Sequence, residues 1–310
     1  MNKMISVIIP TYNRCKLLIR SVRSVLKQSY KNIEVIVIDD CSTDKTEEYI
    51  KKIKDNRLKY IKLRKNHGAC YARNIGICKA KGEFIAFQDS DDIFYKDKLE
   101  IQLKNMLKNK SDLDFCKLKV IVNKNIWNFP NDEQDKKIIR GNILNELCKG
   151  NIISTQSILV KREVLADIKF DENLPRFQDY DLVLRIALKY NISYTNDALA
   201  EVYRQNDSIS NSDEKLKNAC VEMLKKDYKL SKKQKNVLNN TLIYWMTKKE
   251  LDTIYELRNE NDRLSSDCDN LLRINNDLKN KYDNLNNLYN EIINNRYYKY
   301  LIKIKRIIKK

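Results

Sequence analysis

Three groups of carboxylates sit where chemistry could be done. Asp39-Asp40 closes the apolar run Glu34–Ile38 (EVIVI), and Asp89-Ser90-Asp91-Asp92 follows Glu83–Phe87 (EFIAF). Asp179 and Asp181 open a segment whose apolar residues recur at helical spacing. Carboxylates so gathered suit two tasks: holding a hard divalent cation through oxygen ligands, and accepting a proton as general base. The chain has one histidine, His67, which argues against a multi-histidine zinc or iron site. Its 8 cysteines contain no CxxC pair and read as reduced thiols, not as bridges, metal ligands or a nucleophile.

The elements needed to position these groups can be read from the flanking pattern. Ile5–Pro10 (ISVIIP), Glu34–Ile38 and Glu83–Phe87 are short, nearly continuous apolar runs, as in strands buried on both faces of a parallel sheet. Between them, Lys16–Gln28 sets Leu17, Leu18, Val22, Val25 and Leu26 on one helical face, and Asp44–Lys54 reads as a helix capped by Ser42 or Thr43. The alternation predicts an α/β domain with ligands at the carboxyl ends of its strands. Further strands are expected at Asp114–Val122, Ser157–Val160 and Ile192–Asn196, with a helix from Tyr180 to Tyr190. Three polar strand ends, Thr11-Tyr12-Asn13, Asp39-Asp40 and Asp89–Asp92, then converge on one crevice.

Five motifs occur in order: SVIIPTYNR (Ser6–Arg14), DDCSTDKT (Asp39–Thr46), GACYARNIG (Gly68–Gly76), DSDD (Asp89–Asp92) and FQDYDLVLR (Phe177–Arg185). Together they resemble the family 2 glycosyltransferases, inverting enzymes of the GT-A fold, over roughly residues 4–210. The resemblance implies a Rossmann-like nucleotide-binding domain with a mostly parallel central sheet. It implies a donor-binding set of Pro10, Thr11, Tyr12, Asn13, Asp39, Arg73, Asp89 and Ser90. Within it, Thr11 and Tyr12 line the uracil or equivalent base, Asp39 accepts from the base N–H, and Arg73 reaches the base or the phosphates. Asp91 is implied as the main ligand of Mg²⁺ or Mn²⁺, with Asp92 supporting it. Asp179 matches the general base, and Asp181 follows as a cap or acceptor contact. The chemistry fits these roles, because a nucleotide-sugar diphosphate needs its charge neutralised as it leaves.

Two departures stand out. Gln178 replaces the glutamate usually found before the base, and Asn206 or Asp207 lies where the family often has histidine. His67, just before Gly68, is either a diphosphate contact or a locally bonded loop residue. The acceptor implied by the resemblance is a glycan, lipid-linked or protein acceptor in cell-envelope or surface-glycan synthesis. Residues 123–156 carry no readable acceptor pocket.

Beyond about Ser210 the chain reads as helix. We divide it into 1–212, the catalytic domain; 213–249, a helical extension; 250–292, a coiled coil; and 293–310, a basic amphipathic tail. With Ile254 as a and Leu257 as d, the d positions are Leu257, Leu264, Leu271, Leu278, Leu285 and Ile292, and Asn261 and Asn275 stand at a. This pattern predicts a parallel homodimer. The alternative is a long helix folded back on its own domain. The tail, with seven Lys/Arg and no acid, suits an anionic membrane surface or an acidic partner.

The net charge of +18 invites a nucleic-acid reading, but its distribution disfavours one. Residues 215–249 carry ten Lys/Arg against two acids, and the heptads carry five against ten. The first 214 residues contain no nucleic-acid module, so no nucleic-acid partner is expected. The rival of a different kind is a catalytically inactive scaffold working through the coiled coil. There is no apolar span of membrane length or signal-peptide core, which leads us to expect a cytoplasmic protein, peripheral at the inner face of the membrane.

Overall fold

The computed structural model describes residues 3–123, 125–140, 142–204 and 212–294, together with 299, 302, 303 and 305. Its described residues divide between two compact units, Met1–Met246 and Thr247–Lys310.

The first unit is built on nine strands: β1 (Ile5–Thr11), β2 (Ile33–Asp39), β3 (Leu58–Lys62), β4 (Phe84–Phe87), β5 (Ile93–Phe94), β6 (Leu113–Val122), β7 (Asn125–Phe129), β8 (Ile158–Lys161) and β9 (Ile192–Tyr203). They form one sheet in the order β3-β2-β1-β4-β8-β6-β9-β5, with β7 paired to β6. β1 pairs in parallel with β2 and β4, and β2 with β3, while β8 runs antiparallel between β4 and β6. The strands expected from apolar runs are all present. Three others lacked such a run: β3 is half-exposed, β5 is two residues long, and β7 is a largely exposed edge.

Ten helices complete the described chain: α1 (Cys15–Leu26), α2 (Thr46–Lys51), α3 (Ala69–Lys79), α4 (Lys98–Asn109), α5 (Asp132–Arg140), α6 (Ile143–Lys149), α7 (Val164–Asp167), α8 (Gln178–Ala187), α9 (Asp213–Lys225) and α10 (Lys232–Asn294). A 3₁₀ turn at Thr155–Ser157 precedes β8. The pleat splits the apolar residues into two cores. Ile5, Val7 and Ile9 of β1 face Leu18, Val22 and Val25 of α1 and Leu99, Leu103 and Met106 of α4. Ile8 and the alternate residues of β2 and β4 face α3, α6 and α8, and Cys220, Met223, Leu238 and Leu242 of α9 and α10 join that core. Residues 213–246 are thus packed into the same unit as the sheet.

Pro10 is tolerated in the central strand β1. Its missing N–H points toward β4, whose pairing with β1 ends at Ile8↔Phe87. In the GACYARNIG segment the two glycines serve different purposes. Gly68 takes φ +91 in the turn that opens α3. Gly76 lets α3 lie against β1, since a Cβ there would collide with the Ile8 side chain. The cap expected from Ser42 or Thr43 falls elsewhere. Asp44 accepts from the Thr46 N–H at 2.9 Å and starts α2, because Ser42 and Thr43 are bonded to Asn13.

Candidate active site

The crevice is built from three adjacent parallel strand ends. Thr11 pairs with Asp39 at the ends of β1 and β2, and Gln88-Asp89 continues β4 beside them. Asn13, at φ 52°, ties the first two ends together: its N–H donates to Ser42 Oγ at 2.9 Å and its Oδ1 accepts from the Thr43 N–H at 2.8 Å. Asp39 is fully buried and accepts from the Ser42 N–H at 2.7 Å and from the Tyr60 hydroxyl. Burial and that carboxylate push the Tyr60 phenol far up. Thr11 Oγ1 is buried with no hydrogen-bond partner, while Tyr12 is 46% exposed at the rim. This end of the crevice thus holds a buried carboxylate bonded on both oxygens, an orphaned hydroxyl and an accessible ring.

Asp40 has a different task. Its carboxylate accepts from the backbone N–H groups of His67 (2.8 Å) and Gly68 (2.6 Å), fixing the turn into α3. The His67 ring stacks on Tyr71 with centroids 4.2 Å apart. This stack is a local loop contact of the kind read for His67.

The four residues Asp89–Asp92 diverge sharply in use. Asp89 pairs with Arg73 at 2.7 Å and accepts from Gln156 at 2.8 Å. Ser90 is buried. Asp91 keeps a side-chain exposure of 19% and meets the Arg14 guanidinium, while Arg20 bonds its backbone carbonyl and stacks on Tyr203 at 4.2 Å. Asp92, expected beside Asp91 as a metal ligand, turns inward instead. It is 1% exposed, and its two oxygens accept from the Tyr203 N–H (2.9 Å) and from Gln156. Burial, with the charges of Asp89 and Asp91, drives its carboxyl well above the ordinary range. Its geometry secures the acidic turn to β9.

Among the described residues no three His, Cys, Asp or Glu side chains gather as a metal cage. A hard divalent ion that takes its remaining ligands from substrate phosphates and water needs only one or two carboxylates. Asp91, with Asp89 beside it, fits that requirement, and Arg14 shows that the Asp91 carboxylate attracts a cation.

Arg73 lies deeper than expected. Its side chain is 7% exposed, paired with Asp89, and stacked over Phe170 at 5.4 Å. It faces the acidic turn. Its field also reaches Asp179.

Asp179 stands in the first turn of α8, after Phe177 at φ 63°. Burial raises its carboxyl, and the backbone N–H groups of Tyr180 (2.8 Å) and Thr155, with Arg73, oppose the rise. In the 3₁₀ turn, Gln156 holds both Asp89 and Asp92. Gln178 donates to the Leu174 carbonyl at 2.9 Å, a bond that glutamate would not donate. Asp181 departs from the expected cap or acceptor contact. It is fully buried and collects Arg185, Lys226 at 2.8 Å and the Tyr228 hydroxyl at 2.7 Å. It fastens α8 to the segment after α9. Asn206 and Asp207 lie outside the described residues.

Gln156, Arg14, Arg20, Lys226 and Tyr228 were not read as site-building residues. Gln156 sits in a segment without a motif, and the others meet the site across 45 to 77 residues of sequence.

Several known proteins are similar to this chain. An uncharacterized glycosyltransferase of Rickettsia conorii is 37% identical over 199 residues, 64% of this chain and 32% of that one. The chain spans about a third of the length of such relatives. The Escherichia coli UDP-Glc:alpha-D-GlcNAc-diphosphoundecaprenol beta-1,3-glucosyltransferase WfgD is 35% identical over 194 residues, 62% of this chain and 73% of that one. Staphylococcus aureus TarS 1-349 in complex with UDP-GlcNAc superposes with a TM-score of 0.61 at 27% identity, covering 77% of this chain and 71% of that one. The Pyrobaculum calidifontis mannosyltransferase PcManGT, in complex with GDP-Man and Mn2+, shares the fold at a TM-score of 0.61 and 18% identity, covering 79% and 70%. The model of glycosyl transferase family 2 matches residues 6–169, more than half of the chain, and this chain belongs to that family.

Proposed function

We propose that this chain is a metal-dependent inverting glycosyltransferase that moves a sugar from a UDP-linked donor to a lipid-linked or other glycan acceptor. The observation that carries the reading is Asp89, which Gln156 ties to Asp92 and which pairs with Arg73, whose charge also reaches the half-buried Asp179. The likenesses to a UDP-GlcNAc-bound structure and to a glucosyltransferase acting on a diphosphoundecaprenol-linked acceptor support the donor and acceptor classes.

In this reading Thr11, Tyr12 and Asp39 hold the base. Asp91 and Asp89 hold Mg²⁺ or Mn²⁺, which when bound neutralises the diphosphate. Asp179 accepts the acceptor hydroxyl proton as that oxygen bonds to the sugar C1. The bond from C1 to the nucleotide diphosphate breaks on the opposite face, inverting the centre. Arg73 keeps Asp89 and Asp179, two acids on the two sides of the reacting sugar, from repelling each other. The basic segment 293–310, most of which lies outside the described residues, would carry the chain to an anionic membrane surface.

Donor turnover by full-length protein tests the reading. Transfer to a diphosphate-lipid acceptor, or slow hydrolysis of UDP-GlcNAc or UDP-Glc, should require Mg²⁺ or Mn²⁺ and vanish in Asp91→Asn. Turnover undiminished by both Asp91→Asn and Asp179→Asn would refute the site. Donor binding without any turnover, across a panel of nucleotide-sugars and acceptors, would favour the scaffold reading.

A further inference from the structure

Along the second unit, every described residue from 251 to 292 is exposed. The d-position leucines Leu257, Leu264, Leu271, Leu278 and Leu285 are 59–72% exposed. From Ile254 to Ile292 the stripe is about 57 Å long at 1.5 Å per residue. It keeps a strict seven-residue period, which on a helix of 3.6 residues per turn follows a left-handed seam and not a straight face. Such a seam is complementary to another helix of the same period, and a leucine ladder this long is unstable against water when unpaired.

The geometry points to a second copy of this chain as the occupant, paired parallel and in register over Ile254–Ile292. The two asparagines select this arrangement. In a parallel, in-register pair Asn261 and Asn275 each face their own counterpart, where two amides can bond to each other. In a fully overlapping antiparallel pair Asn261 faces Leu285 and Asn275 faces Leu271, burying each amide without a partner. Charges flanking the seam raise no objection. In the parallel pair Glu260 meets Ser265, Asp267 meets Leu272, and Lys281 meets Asn286, so no like charges are opposed. Leu272 and Ile274 widen the apolar face at mid-length. The pairing brings the two Cys268 thiols, at an a position, face to face across the seam. It is independent of the catalytic reading.

Sedimentation of the full chain should give twice the 36.8 kDa chain mass at low micromolar concentration, and a monomer or trimer would overturn the proposal. Mild copper–phenanthroline oxidation should link the dimer through one disulfide that disappears in Cys268→Ser. A dimer that resists this linkage would overturn the parallel register. Leu271→Asp with Leu278→Asp should leave monomers whose near-ultraviolet dichroism matches the parent. The milder pair Leu264→Ala and Leu271→Ala should raise the dimer Kd at least tenfold with the helix content retained above that Kd. Dimers of unchanged affinity in both variants would place the contact elsewhere.

Discussion

In Met1–Met246, β1, β2 and β4 bury all of their residues, and even charged groups such as Asp181 and Asp92 are enclosed with hydrogen-bond partners. Along α10 beyond Thr247 the large apolar side chains are half to three-quarters exposed. Both regions obey the hydrophobic effect, but only the first satisfies it within its own chain. A sheet with helices on both faces closes two cores, whereas one helix can hide its stripe only against another body. The first unit can therefore devote side chains to desolvated chemistry, and the second exposes a surface for association.

The sharpest way to probe the enclosed region is Asp179→Asn. Loss of the general base should lower kcat about 10³-fold, within the range such groups contribute. The same variant should melt at a higher temperature near pH 7.5. Folding raises the Asp179 carboxyl, so the ionised form is penalised in the native state, and that penalty is present above the raised value and absent below the unfolded one. A neutral amide removes it. Lower activity with no gain in stability would mean that Asp179 is not held in a desolvating place.

Asp181→Ala is the next largest. It removes the one carboxylate that Arg185, Lys226 and Tyr228 share, and should destabilise the first unit by about 3 kcal/mol, as expected for breaking a buried ion pair. Thermal unfolding with and without donor would measure it. If Asp181 contacted the acceptor instead, KM would rise while Tm stayed put.

The pH profile gives a finer test. Only ionised Asp179 accepts a proton, so kcat/KM should fall as pH drops through a value raised above the ordinary carboxylate pKa of about 4. An acid limb at the ordinary position would contradict the burial. Smallest of all, Leu271→Asp with Leu278→Asp should change donor turnover at saturating soluble acceptor by less than about twofold. Changes within a separate compact unit that shares no partners with the site couple weakly to it. A large loss would mean that the enclosed unit depends on the exposed one.

Much of the site could be read locally. The apolar runs fixed β1, β2 and β4, and polar residues at their ends marked the crevice, because strand burial and strand termini leave a direct imprint on neighbouring residue types. The heptads were equally legible. β3, β5 and β7 were not, since a half-exposed or two-residue strand is specified by its partner and not by its own pattern. The inward turns of Asp92 in DSDD and of Asp181 in FQDYD were not legible either. Asp91 and Asp92 are adjacent and chemically identical, yet one reaches Arg14 and the other is sealed by Gln156 and Tyr203.

By itself, the sequence determined which residues could carry charge, metal and protons, the alternation that makes a parallel sheet, and the period that makes a seam. Those properties are local, set by residue type and by spacing along one strand or helix. Only the tertiary structure decided which carboxylates would face the crevice. It placed Gln156 across Asp89 and Asp92, turned Arg73 onto Asp89, and spent Asp181 on Lys226 and Tyr228. Each assignment depends on contacts between residues far apart in the chain, where burial, more than residue type, sets whether a carboxylate can be reached and which charge state it prefers.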